Sequence, residues 1–290
     1  MKIIECPRDA MQGLEEFIPT EKKAIYINQL LKVGFDTIDF GSFVSPKAIP
    51  QLRDTAEVLG RLDISTTKSK LLAIVANTRG AEEAGKFESI SYLGFPLSIS
   101  ETFQQRNTNK SIIEALNSLA EIQEICKRSN KVLVTYISMG FGNPYGDLYD
   151  VDVVGKFVDI LHTLDAKIIS LADTIGVSKP DQIQYLFTSL TKQFPAIEFG
   201  AHLHSNPATA EEKIEAAFNA GCQRFDGAIR GFGGCPMAED ELVGNLATET
   251  ILNWLDKNAR LPDGQGKSLD LNREAFQEAV LLADSIFPRH

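Results

Sequence analysis

A chain of 290 residues, 43% of them hydrophobic, is long enough to bury a sizeable core in one large domain or two smaller ones. Its net charge of −10, with no Lys/Arg-rich run, speaks against a nucleic-acid partner. Four scattered cysteines without a Cys-x-x-Cys pair make no disulfide framework, no signal peptide precedes the strand-like Met1–Cys6, and the longest apolar run, Leu71–Ala76, is far short of the roughly 20 residues of a membrane helix; the expectation is a cytoplasmic protein with no membrane contact.

The first strand is expected over residues 2–6. A helix follows, with Thr20 as N-cap, apolar residues at Ala24, Ile27 and Leu31, and Gly34 as its end. Further strands are expected over 36–40, 71–76, 88–94, 131–138, 166–171, 196–203 and 223–228, each followed by helical sequence. A helix over about 208–220 ends at Gly221 as the first ends at Gly34. The junctions Val33-Gly34-Phe35-Asp36-Thr37-Ile38-Asp39 and Ala220-Gly221-Cys222-Gln223-Arg224-Phe225-Asp226 echo each other, the mark of a repeated helix–strand unit. Residues 272–286 form a terminal helix. Strands alternating with helices pair in parallel, and eight such units in this length predict a (β/α)8 TIM barrel with a C-terminal helical extension. An open doubly wound sheet is the alternative, but it usually carries a glycine-rich phosphate turn after its first strand, and none follows residues 2–6. No Pro/Ser/Gly-rich linker divides the chain, so residues 1–290 read as one catalytic domain.

Barrel active sites lie at the C-terminal ends of the strands. In this sequence those ends carry Arg8 and Asp9 after the first strand, Asp39 on the second and Asn77 after the third. Ser138 closes the fifth, Asp173 and Thr174 follow the sixth, His202 and His204 lie on the seventh, and Arg230 follows the eighth. Residues i and i+2 of a strand share a face, so His202 and His204 present two imidazoles to one side. Asp9 is the best third ligand, because first and seventh strands are near neighbours in a closed barrel. Oxygen and nitrogen donors together suit Mg²⁺, Mn²⁺ or Zn²⁺. Asp9 has an alternative reading as a cap or turn residue. The Arg8 guanidinium could stabilise a developing oxyanion, or pair with an acid. Gly231-Phe232-Gly233-Gly234-Cys235-Pro236 has the glycines of a lid loop, with a cysteine exposed enough for chemistry, or it is a plain surface loop. Asn245 reads as the cap of a following helix whose amide could also reach a metal.

With these pieces the chain resembles the 3-hydroxy-3-methylglutaryl-CoA lyase family, part of the metal-dependent barrel superfamily that includes the isopropylmalate and homocitrate synthases. The likeness runs over nearly the whole chain: Pro7-Arg8-Asp9-Ala10-Met11-Gln12, Ser42-Phe43-Val44-Ser45-Pro46-Lys47, Ser170-Leu171-Ala172-Asp173-Thr174-Ile175-Gly176, His202-x-His204, then Gly233-Gly234-Cys235-Pro236 and Gly244-Asn245-Leu246-Ala247-Thr248-Glu249. The Gly-Gly-Cys-Pro loop separates the lyases from the synthases, which usually carry a Gly-Glu-Arg type loop there. The resemblance implies that Asp9, His202, His204 and Asn245 hold Mg²⁺ or Mn²⁺. It implies that Arg8 stabilises an enolate, that Cys235 and Asp39 take part in proton transfer, and that Asp173 stands behind the ligands or near the substrate. Gln12, Asn77 and Arg230 are expected to contact substrate, and Arg106 and Lys110 are candidates for coenzyme A phosphates.

The implied reaction is a retro-Claisen cleavage of an acyl-CoA thioester to acetyl-CoA and a keto acid, with a homodimer common among relatives. A condensing transferase of the synthase type is the second expectation, and a barrel that binds metal without catalysis the third. The sequence departs from the lyases in places. Asp39 replaces the usual glutamate, Ala10 a glycine, Ser205 an aspartate and Arg230 a small residue, and the first motif is one residue shorter. These departures lie beside the substrate rather than at the metal, so the expected substrate is 3-hydroxy-3-methylglutaryl-CoA or a close relative.

Overall fold

A computed structural model describes residues 1–234, 243–258 and 269–287. Eight parallel strands close into a barrel in sequence order: β1 (Lys2–Glu5), β2 (Thr37–Ser42), β3 (Lys70–Ile74), β4 (Ile90–Ser98), β5 (Val132–Ser138), β6 (Ile168–Asp173), β7 (Glu198–Leu203) and β8 (Arg224–Gly227). The barrel shuts where β1 pairs with β8, Ile4 opposite Asp226. After β1 come α1 (Pro7–Gln12) and α2 (Thr20–Val33); α3 (Thr55–Leu59) and α4 (Thr78–Gly85) follow β2 and β3. The pair α5 (Glu101–Thr108) and α6 (Ile112–Arg128) follows β4, and α7 (Val151–Thr163), α8 (Pro180–Gln193) and α9 (Ala210–Asn219) follow β5, β6 and β7. The chain closes on α10 (Thr248–Asn258) and α11 (Arg273–Ile286). The expected barrel and terminal helix are both found. No helix among the described residues is long and apolar enough to cross a membrane.

The main apolar core lies between the strands and the helical ring. A second, smaller cluster, including Leu72, Ile74, Tyr92, Val134, Tyr136 and Ile168, fills the barrel interior. α11 packs on α2: Gln29 Nε2 donates to the Ala275 carbonyl at 3.0 Å, and Phe35 meets Phe276 edge-on.

Three local expectations are corrected. Thr20 is not a cap: Pro19 holds the N-cap position of α2, and the Thr20 hydroxyl donates to Asp54 Oδ2 at 2.8 Å instead. β4 does not stop at 94 but runs on through Pro96 to Ser98, paired with β5 throughout. Gly94 does not break it; a Cβ there would stand 2.5 Å from Ile74 Cδ1 and 3.1 Å from Tyr136 Cε2, so the packed interior requires glycine. Asn245 caps no helix, because α10 begins at Thr248; it lies in an antiparallel bridge with His204.

Candidate active site

The mouth of the barrel is built on α1, a single short helix immediately after β1. Pro7 starts it, at a position where the missing N–H costs nothing. One helical turn then sets Arg8, Asp9 and Gln12 on a common face. Arg8 Nη1 donates to Asp9 Oδ1 at 2.7 Å and to Gln12 Oε1 at 2.9 Å, while Gln12 Nε2 donates to Asp9 Oδ1 at 2.8 Å. The other edge of the guanidinium grips β2: Nε and Nη2 donate to Asp39 Oδ2 at 3.0 and 2.5 Å. Arg8 is buried, so this cation between two carboxylates is held in one orientation.

Opposite Asp9 stand the two histidines. Their rings lie 5.4 Å apart, and ligand atoms of Asp9, His202 and His204 all fall within 4.8 Å of one another. His202 Nδ1 bonds Asp226 Oδ2 on β8 at 3.1 Å. His204 Nδ1 is buried and has no hydrogen-bond partner among the described residues. An unpartnered buried imidazole nitrogen beside a second imidazole and a carboxylate suits a divalent cation. Asn245 reaches the same spot, its Nδ2 donating to Asp9 Oδ2 at 2.7 Å and to the Phe232 carbonyl at 2.9 Å. Gly233, at φ +98, crosses here. A Cβ on it would stand 2.7 Å from Asn245 Nδ2 and 2.9 Å from the Asp9 carbonyl, so only glycine lets the loop pass this close. A second group, Cys6, His202 and Asp226, has ligand atoms equally close and shares His202.

Burial works against every charge in this cluster, and the neighbours decide which charges persist. Burial raises the Asp39 carboxyl, the Arg8 charge offsets this only in part, and the result is about 6. At Asp9 the charges of Arg8, His202 and His204 outweigh burial and bring the carboxyl below its ordinary value. Burial and then the charge of His202 push His204 down to about 4, leaving a neutral, ligand-ready imidazole at neutral pH. Burial lowers His202 too, but the bond to Asp226 and the charges of Asp226 and Asp9 carry it upward overall. Burial and three carboxylates push the Cys6 thiol well up.

The other expected residues lie around this cluster in different ways. Asp173 ends β6 rather than following it. Its carboxylate is taken up by the backbone N–H groups of Val177 and Ser178, the Ser178 hydroxyl and Lys213 Nζ. Lys213 ties this turn to the site, because its ammonium also donates to the His204 carbonyl at 2.9 Å. Asn77 caps α4, its Oδ1 accepting from the Gly80 N–H at 2.9 Å. Ser138 is buried at the end of β5, and Thr174 Oγ1 accepts the Met139 N–H. Ser205 is buried, its hydroxyl donating to the Asn206 carbonyl. Arg230, in the left-handed region at φ 63, turns toward α11 and makes a bidentate pair with Asp284 at 2.9 and 2.7 Å. Arg106 lies over the Tyr145 ring and Lys110 donates to Ser118. Cys235 lies outside the described residues.

Sequence reasoning missed two members of the assembly. Asp226 was visible only as the end of the echoed junction, where it occupies the place that Asp39 holds in the first copy. Lys213 gave no signal, since a lysine on an amphipathic helix ordinarily faces solvent.

Comparison with known proteins bears directly on this geometry. The HMGL-like family model matches residues 2–272. A hydroxymethylglutaryl-CoA lyase of Bacillus subtilis is 35% identical over 254 residues, covering 87% of this chain and 83% of that one. A human cytoplasmic 3-hydroxy-3-methylglutaryl-CoA lyase is 32% identical over 260 residues, covering 88% and 69%. Among solved structures, an HMG-CoA lyase of Acinetobacter baumannii in complex with coenzyme A and 3-methylmalate superposes with a TM-score of 0.87 at 28% identity, over 98% of this chain and 90% of that one. With its closed barrel and a family match spanning almost its whole length, the chain belongs to the HMGL-like family.

Proposed function

We propose that the protein is a metal-dependent carbon–carbon lyase that cleaves 3-hydroxy-3-methylglutaryl-CoA, or a close branched relative, to acetyl-CoA and a keto acid. The observation that carries this reading is the convergence of Asp9, His202 and His204 within 4.8 Å, next to the Arg8–Asp39 pair. Relatives over most of the chain are lyases of this kind, in bacteria and in mammals. The bound coenzyme A and 3-methylmalate of the Acinetobacter structure fit an acyl-CoA thioester as substrate. The condensing reaction of the synthases has less behind it, since the relatives named above are lyases.

In this reading Asp9, His202 and His204 would hold Mg²⁺ or Mn²⁺, with the Asn245 amide oxygen as a fourth donor. A divalent ion held there would supply Lewis acidity for the cleavage. Arg8 offers fixed N–H donors at the same mouth, where an enolate oxygen gains charge as the carbon–carbon bond breaks. Asp39 stands at about 6, close to neutrality, with Oδ1 free of hydrogen bonds among the described residues, so it can hold a proton at that atom and give it up. Cys235 is the proposed partner in proton transfer to the departing acetyl-CoA enolate. Gln12 orients Asp9 and Arg8 together, and Asp173 supports the His204 strand end through Lys213. A cytoplasmic homodimer belongs to the same proposal, and sedimentation at twice the 31.9 kDa chain mass checks the assembly. The decisive experiment incubates purified protein and Mg²⁺ or Mn²⁺ with 3-hydroxy-3-methylglutaryl-CoA. Acetyl-CoA and acetoacetate are expected; no acetyl-CoA from it or from a panel of branched 3-hydroxyacyl-CoA thioesters would overturn the proposal.

A further inference from the structure

Two potential metal triads share His202, and a neutral imidazole has one lone pair to give. Something must choose between the upper group, with Asp9 and His204, and the lower group, with Cys6 and Asp226. We infer that Asp226, seated on the same inward face of β8 as the buried Arg224, fixes His202 as its Nδ1–H tautomer and thereby commits Nε2 to the upper triad. The inference rests on the metal reading given above.

Arg224 and Asp226 are two residues apart on β8 and project to the same side. Space for the arginine comes from Gly200 opposite it on β7, where a Cβ would stand 3.0 Å from Arg224 Cδ. The guanidinium is wholly buried. Among the described residues its one hydrogen bond, from Nη1 to Glu198, is long at 3.4 Å, and Nε and Nη2 have no partner. A cation in that setting needs a nearby anion, and Asp226 exerts the strongest charge upon it. A carboxylate only accepts hydrogen bonds. The proton in the 3.1 Å contact of Asp226 with His202 must then sit on Nδ1. That leaves Nε2 as the lone pair His202 can give to a metal. The Tyr136 ring meets the His202 ring edge-on at 5.6 Å and opposes a flip of the imidazole. Asp226 is therefore a positioning residue: it touches no substrate and acts through a ligand.

The test uses the full-length protein, stripped with chelator and titrated with Mn²⁺ alone. Asp226→Ala is expected to raise the Mn²⁺ dissociation constant about 10- to 100-fold. Long-range ¹H–¹⁵N spectra of the metal-free parent should show His202 as the Nδ1–H tautomer, and the variant should lose that preference. A merely structural role would lower Tm and leave both readouts unmoved. Mn²⁺ affinity within about twofold of the parent overturns the inference alone. A parent that binds no Mn²⁺ overturns the metal reading with it. Should Asp226→Ala fail to fold, the parent spectrum decides: an Nε2–H tautomer at His202 refutes the inference.

Discussion

Asp39 and Asp226 occupy matching places on β2 and β8, the two strands that flank β1, each at the same sequence distance from a helix-ending glycine, Gly34 or Gly221. Both are buried, and both spend Oδ2 on one basic side chain while Oδ1 has no partner among the described residues. They differ in what they hold. Asp39 faces a permanent cation, Arg8, whereas Asp226 faces an imidazole that is itself a candidate ligand. In the proposed function, the same carboxylate in the same repeat would serve proton chemistry on one side of β1 and ligand geometry on the other. Partner chemistry, rather than depth or fold position, separates the two roles.

The sharpest way to break this comparison is to neutralise Asp39. Asp39→Asn is expected to lower kcat about 10²- to 10⁴-fold at saturating Mn²⁺, with Mn²⁺ affinity near the parent's. Loss of metal affinity instead would erase the distinction from Asp226. Next, Arg8→Met removes the cation from between two carboxylates. A kcat loss of about 10²- to 10³-fold is expected, with a lowered Tm as Asp9 and Asp39 lose their shared counter-charge; steady-state kinetics and thermal melts check both.

Glu5, on β1 between the two aspartates, is a carboxyl outside the chemistry. It accepts hydrogen bonds from the Thr248 hydroxyl and the Ile229 N–H, and burial pushes it up to about 8. Its folded value lies above its unfolded one, so its stabilising effect is full below about 4.5 and fades as pH rises toward 8. The parent's Tm should therefore fall from pH 5 to pH 8 more steeply than that of Glu5→Gln. Parallel melting curves against pH would remove Glu5 as the source. The smallest effect is expected at Arg230. Its half-exposed pair with Asp284 is worth about 0–1 kcal/mol, and Arg230→Ala should leave KM for the thioester unchanged. A several-fold rise in KM would return Arg230 to the substrate site.

Much of this architecture was legible in the sequence because it depends on short-range periodicity. The spacing of two that aligns His202 with His204 is a property of any strand, and helix-ending glycines and apolar spacing marked the repeated units. β4 hid its length because Gly94 and Pro96 read as breakers, while the packing of Ile74 and Tyr136 that demands Gly94 is a contact across strands. Asp226 and Lys213 escaped for the same kind of reason. An aspartate at a strand end reads as a turn residue, and a lysine on a helix as a solvated one, until the barrel places His202 and the His204 carbonyl beside them. For Asn245, the local sequence offered a helix cap and the resemblance a metal ligand; only the cap fails, since nothing local foretold the bridge to His204.

Closure of β1 against β8 has a consequence for how the protein is made. The bond from Asn245 to Asp9 spans 236 positions of sequence. At the usual pace of synthesis, Asp9 leaves the ribosome on the order of tens of seconds before its last neighbour exists. During that interval β1 presents an unpaired edge open to wrong partners. Shielding that edge or delaying collapse would protect the nascent chain, and in the proposed function competence to take up a cation would report that the seam has shut.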